Sequence, residues 1–199
     1  MERGVSLPPQ AFYPIRFAVV AAILILVARP YIPLRASSPW ASIGMGILVF
    51  GIWITPDLLF SYRHYWLFEN PLTGPAASSL PAAIQRNLVF LLIRAVGSTV
   101  LVPILEELFW RGWMMRWLIH LNFLKVPMGQ YAPSSFWIVA VLFASEHGPY
   151  WEVGLVAGVL YNWWLIRTRN LADCILAHAV TNGLLSVYVV ATGQWQYWL

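Results

Sequence analysis

The chain has one cysteine, one lysine and few charges of either sign: Lys, Arg, Asp and Glu together make up 10% of its 199 residues. Each shortage excludes something. A lone Cys174 cannot form an intramolecular disulfide, so cysteine usage points to no oxidising compartment. The formal charge of +4 comes almost wholly from scattered arginines, without a basic run that could track a phosphate backbone, and no nucleic-acid partner is expected. No small-residue cleavage pattern follows the first apolar run at 17–28, so a retained first helix is expected and not a removed signal peptide. Internal repeats are lacking, which argues against a transporter. The H-E-x-x-H pairing that puts two zinc ligands on one turn is lacking as well.

What is there is apolar. Hydrophobic residues make up 60% of the chain, twelve residues are Trp, and mean hydropathy is +0.67. A soluble domain of this size is far more polar. The expected fold is all-α, a polytopic transmembrane helical bundle forming one membrane domain over 1–199. A crossing needs roughly 20 apolar residues, and the candidates are 14–29, 39–56, 86–109, 134–147, 152–167 and 171–191. Pro30 and Pro33 are expected to stop the first and Pro56 the second. The longest loop, 63–81, contains Pro71, Gly74, Pro75 and Pro81. It separates N-terminal anchoring helices, 1–81, from a helical core, 82–199, that holds every polar motif. Pro103 interrupts the long run 82–121: either one helix is kinked there, or a second begins at the proline. The expected count is therefore six to eight spans.

Arginines near helix ends are read as topology signals and headgroup anchors. Putting Arg35, Arg111, Arg116, Lys125, Arg167 and Arg169 on the cytoplasmic side leaves Arg3, Arg16, Arg63 and Arg86 outside. Gly154 and Gly158 form a small-xxx-small pair, read as packing inside one subunit in preference to a dimer contact. The tryptophans, Trp163, Trp164, Trp195 and Trp198 among them, suit interface belts or a lipid-tail groove.

Ionisable groups at membrane depth are costly, about 2.5–3.5 kcal/mol each on insertion scales, and so mark function. Three motifs carry them. In Glu106-Glu107-Leu108-Phe109-Trp110-Arg111, Glu107 and Arg111 stand four apart in the favourable order for an ion pair. Glu106, about 100° round the helix, is left without a local cation; the alternative is that both glutamates bridge to arginines such as Arg94. A carboxylate in apolar surroundings without a paired charge has the proton affinity a general base at neutral pH requires. Phe143-Ala144-Ser145-Glu146-His147 ends a candidate span, and His178 and Asn182 share one face of the last. Cys174, four residues before His178, also permits a Cys/His nucleophile, a weaker reading because a free Cys is a common small buried residue.

These motifs resemble those of the CPBP family of intramembrane proteases (CAAX protease and bacteriocin-processing, or ABI), which includes the type II CAAX prenyl endopeptidases. The family pattern EExxxR, FxxxH, HxxxN/D appears in order as Glu106/Glu107/Arg111, Phe143/His147 and His178/Asn182. Trp110 replaces the usual Phe before the arginine, and the match spans about 102–185. The resemblance implies an all-helical fold with a cavity opened to one side, and makes 82–199 a catalytic core. It implies that Glu106 and His147 activate water, that His178 and Asn182 donate to the oxyanion, and that Glu107, Arg111 and Phe143 support them. Glu146, which the pattern does not require, either tunes His147 or faces water, the second being favoured. A metal-free site is preferred; if zinc is bound, its ligands are Glu106, His147 and His178. The expected activity is hydrolysis of a peptide bond near the membrane-anchored or C-terminal tail of a substrate protein, in a bacterial inner (plasma) membrane. The alternative is a non-catalytic scaffold or chaperone that binds a peptide tail.

Overall fold

A computed structural model of the chain describes residues 12–33, 35–78 and 80–198. Arg3, counted among the outward charges, and Ser79 of the long loop lie outside the described residues. Six helical rods follow in order: α1 (Phe12–Tyr31), α2 (Pro39–Phe60), α3 (Leu88–Trp117), α4 (Pro133–Ser145), α5 (Trp151–Thr168) and α6 (Leu171–Thr192). No β-strand occurs among the described residues. The rods α1, α2, α3 and α6 are long and apolar enough to cross a membrane, and the chain is an integral membrane protein.

Pro56 acts differently from what its position in the sequence suggests, and Pro103 follows one of the two readings its position allows. Pro56 does not stop α2, which runs on to Phe60 and closes on a left-handed Ser61 (φ 47°). Inside the helix Pro56 removes one backbone N–H and leaves one carbonyl of the preceding turn without that donor, a loss that a long helix packed against its neighbours can carry. Pro103 does not divide the run around it either: α3 is one continuous rod of 30 residues.

The helix α4 has 13 residues, a rise of about 20 Å, and falls short of a hydrocarbon core about 30 Å thick. It pairs antiparallel with α5 as a hairpin whose tip runs from Glu146 to Tyr150. The glycines make the pairing close. A Cβ on Gly158 would meet the Ala140 backbone at 3.1 Å, and one on Gly154 would meet the His147 ring at 3.1 Å. Both therefore pack within the subunit.

At one end of the bundle Asp173, in the first turn of α6, is fully buried. It accepts from the Ser37 hydroxyl, from the Ser38 N–H at 2.9 Å and from Ser42 Oγ at 3.0 Å. This ties the N-terminus of α2 to that of α6 and answers amides a helix start leaves unpaired. Asn170 caps α6 and donates to the Arg35 carbonyl at 2.9 Å. Arg35 and Arg169 thus share this end, as the charge pattern implies. Arg111 does not belong to that set: it is 0% exposed.

At the opposite end Arg63 is another exception to the anchor reading, being 2% exposed. Its guanidinium bonds Glu152 at 2.8 Å, lies 3.4 Å from Asp57 and covers the Tyr150 ring at 4.3 Å. Tyr62 donates to Glu152 and Tyr197 to Asp57, at 2.8 and 2.6 Å. The cluster clamps the end of α2, the start of α5 and the segment after α6. Gly193 (φ 71°) ends α6 in the left-handed conformation that glycine adopts without strain, and the chain turns back so that Tyr197 and Trp198 are buried. Trp164 is buried too, donating to Ser42 Oγ at 3.1 Å. Trp164 and Trp198 are core residues and not belt residues, whereas Trp163 is exposed, as are Trp40 and Trp66 near opposite ends of α2.

Candidate active site

The site begins with a register change in α3. Residues Gly97–Leu101 form a π-helical turn, whose last bond runs from the Val102 N–H to the Gly97 carbonyl, five residues back. The next donor in that register would be residue 103, a proline with no N–H. The Ser98 carbonyl accepts instead from Asn182 Nδ2 at 2.9 Å. A single α-helical stretch, Val102–Glu107, then carries both glutamates, and a second π segment, Leu108–Met114, carries Arg111. Such widened turns gather at functional sites because they re-aim side chains that a regular helix would spread around its axis.

Glu107 points into the protein and is 0% exposed. One oxygen, Oε1, takes Arg111 Nη1 at 3.1 Å and His178 Nδ1 at 2.8 Å. The pairing with Arg111 is the one the spacing predicts. The guanidinium also donates to Asn162 Oδ1 at 3.0 Å and lies 4.4 Å over the Phe143 ring. Asn162 in turn donates to the Phe136 carbonyl at 2.8 Å, so α3, α4, α5 and α6 meet at one polar knot. Tyr161 stacks on the His178 ring at 5.2 Å and donates to Thr181, which donates to the Gly46 carbonyl, each bond 2.8 Å.

These contacts fix which ring nitrogens carry hydrogen. His147 Nδ1 lies 2.7 Å from the Phe143 carbonyl, which can only accept, so Nδ1 is the donor and Nε2 is left facing away. His178 Nδ1 faces a carboxylate that is paired with arginine, so it too donates, leaving Nε2 for the cavity. Phe143, at 4.7 Å, and Trp53, at 5.3 Å, hold the His147 ring between them.

A cavity of about 540 Å³ collects Glu106, His147, His178 and Asn182, with Phe143 in its wall and Glu146 at its margin. Glu106 Oε2 is buried without a hydrogen-bond partner among the described residues; the same is true of Glu107 Oε2, but Glu107 is not part of the cavity wall. Glu146 is an exposed C-cap residue of α4. Cys174 is fully buried outside the cavity wall, its Sγ 3.6 Å from the Tyr161 carbonyl, and does not act as a nucleophile there. The first 81 residues carry no motif, yet Tyr13, Arg16, Val49 and Trp53 also line the cavity. Nothing in their local sequence marks them, because they reach the site only through helix packing. Asn162, a polar residue alone in an apolar run, was the readable hint of the knot.

Glu106, His147 and His178 share the cavity, but among the described residues no three His, Cys, Asp or Glu side chains are spaced to hold an ion.

Comparison with curated proteins and with solved structures returns no significant match. Residues 87–184, just under half of the chain, match the sequence model of a family described as type II CAAX prenyl endopeptidase Rce1-like. All three motifs lie within that stretch, from Glu106 to Asn182. Over this stretch the chain is similar to the type II CAAX prenyl endopeptidases, and the likeness supports the CPBP/CAAX protease family.

Proposed function

We propose that the protein is an intramembrane endopeptidase that cuts a peptide bond near the membrane-anchored or C-terminal tail of a substrate protein, in a bacterial inner membrane. The observation that carries this reading is a buried, unpartnered Glu106 oxygen in a cavity shared with two histidines of defined tautomer. An unsatisfied buried carboxylate oxygen is costly, which is the state a binder has no reason to keep and a base requires.

The chemistry follows from the atoms. A water between Glu106 and His147 gives one hydrogen bond to each and turns its oxygen lone pair toward the substrate carbonyl. As that oxygen bonds to the carbonyl carbon, Glu106 takes the proton and the carbonyl π pair moves onto its oxygen. Asn182 Nδ2 donates to this oxyanion, and so does His178 Nε2 once the ring has taken a proton from solvent before the substrate enters; one good donor is worth about 2.7–4 kcal/mol. The Glu107 carboxylate under Nδ1 stabilises the imidazolium so formed. The carbon–nitrogen bond then breaks and the leaving amine takes the proton from Glu106. Glu107, Arg111 and Phe143 position these groups. The mechanism is proposed as metal-free: zinc in purified protein is expected to be substoichiometric, and one tightly bound zinc whose removal abolishes cleavage would overturn that part.

The test compares membrane proteomes of cells carrying wild type or Glu106→Gln at matched expression. Membrane proteins that keep an uncut tail only in the variant are the expected result and name the substrate. An unchanged proteome, with the variant stably inserted, would replace the protease by a tail-binding scaffold.

A further inference from the structure

His147 stands on no helix. It falls in the turn between α4 and α5, with φ −97° and ψ 9°, where no regular repeat fixes the direction of its side chain. Among the described residues its ring has one hydrogen bond, from Nδ1 to the Phe143 carbonyl, which selects the tautomer. An imidazole held at one atom can still turn, because χ2 of a histidine has broad and roughly two-fold wells. A half-turn takes Nε2 off the cavity and puts a C–H where a water needs an acceptor. Packing has to complete what the hydrogen bond begins.

Three neighbours supply that packing. Phe143 lies 4.7 Å from the imidazole, and α5 meets it with Gly154, where a Cβ would come within 3.1 Å of the ring Cγ and Nδ1. The third is Trp53 of α2, 5.3 Å away and close to edge-on at 66°. Trp53 is itself fixed from two sides. Its indole stacks on Tyr150 at 6.2 Å, and Tyr150 is a buried ring covered by the Arg63 guanidinium. Two turns earlier on α2, Gly46 lets α6 approach: a Cβ there would lie 2.4 Å from the Ala177 carbonyl, and the Gly46 carbonyl accepts from Thr181 at 2.8 Å. This contact sets the register of α2 on α6, and with it the height of Trp53 in the cavity wall. Resting on the protease reading, we infer that Trp53 is a positioning residue for hydrolysis, holding the His147 ring with Nε2 toward the attacking water and Glu106. Trp53 lies outside residues 87–184, the stretch similar to the endopeptidases. The first third of the chain thereby takes part in the chemistry through one side chain.

The test needs no known substrate. The chain has four histidines, so nitrogen-15 labelling of histidine alone gives few ring signals from the full chain in lipid nanodiscs, and His147→Gln identifies those of position 147. Wild type is expected to show one set for His147, with hydrogen on Nδ1. Trp53→Leu opens space beside the ring and is expected to broaden or split that set; Trp53→Phe is expected to restore it. In cells, the precursors that accumulate with Glu106→Gln are expected to mature about 10–100-fold more slowly with Trp53→Leu than with wild type, and Trp53→Phe to recover most of the rate. Unchanged His147 signals in Trp53→Leu overturn the inference, even where maturation falls with thermal stability, since Trp53 would then serve only the core. Wild-type maturation in that variant overturns it too. Should Trp53→Leu not insert, Gly154→Ala decides: a ring gripped by Trp53 cannot give way to the added methyl, so its signals move, and Trp53→Phe makes room and brings them back. Signals that ignore the methyl, or a shift that Trp53→Phe does not relieve, sink the inference. Perturbed His147 signals in Trp53→Leu, with wild type leaving the same tails as Glu106→Gln, remove the protease and keep the hold on the ring; the reverse pair of results removes the hold and keeps the protease.

Discussion

His178 Nδ1 lies 2.8 Å from Glu107 Oε1, across 71 residues of sequence, and Arg111 holds the same oxygen from the other side. A carboxylate that would serve an ion pair alone thereby also orients an imidazole, fixing its tautomer and supporting its protonated form. We predict that Glu107→Gln lowers kcat on the order of 10²–10⁴-fold, as a misdirected imidazole does elsewhere. It is also predicted to destabilise the fold, because Arg111 is left buried without its counter-charge, a loss of about 3–5 kcal/mol. Turnover and thermal unfolding in detergent check the two effects. Full activity in this variant would remove His178 from the mechanism.

Glu106 predicts the opposite combination. Its Oε2 has no partner to lose among the described residues, so Glu106→Gln is expected to abolish cleavage while leaving thermal stability unchanged or raised. An unfolded Glu106→Gln protein would mean that the carboxylate is structural.

Asn182 and Pro103 are coupled through Ser98. Removing the amide with Asn182→Ala leaves a buried carbonyl unanswered, at about 1–3 kcal/mol. Pro103→Ala supplies a backbone N–H in the register where none existed. The double variant is therefore expected to recover stability relative to Asn182→Ala alone but not activity, a non-additive cycle readable by unfolding and turnover together. Recovery of both would assign Asn182 to the backbone only.

The Arg63 clamp is expected to matter for folding and for alkaline stability. Arg63→Met strands Asp57 and Glu152 and is predicted to destabilise by several kcal/mol, about 3–5 for a buried pair. Burial, with the Glu152 bond second, pushes the Tyr62 hydroxyl up from 10.0 to about 12, and burial raises Tyr150 and Tyr197 as well. A folded-state value above the unfolded one gives stability that is full below pH 10 and is lost as pH rises through about 12. Unfolding followed against pH should thus steepen above pH 10, and Tyr62→Phe should soften that slope.

Composition by itself determined that the chain is a helical membrane protein, because a sequence with so few charges and such long apolar runs has no aqueous alternative. The motifs determined which side chains matter, since an acid pair and two histidines at membrane depth are too costly to be incidental. The Glu107–Arg111 pair was readable as well, being a contact four residues apart on one helix. What only the tertiary structure decided are contacts between distant helices. Local spacing assigned Glu107 to Arg111 and could not reveal His178 on the same oxygen. Pro103 read as a break or a kink, but a π turn before it and an asparagine from α6 answer the missing hydrogen bond. Arg63 and Arg111 looked like surface anchors because hydropathy sees charge and not partner; buried carboxylates, an asparagine and aromatic rings take them inside. The first third looked like an anchor, yet it supplies Trp53 and Arg16 to the cavity, since packing between helices is not written in the period of either one.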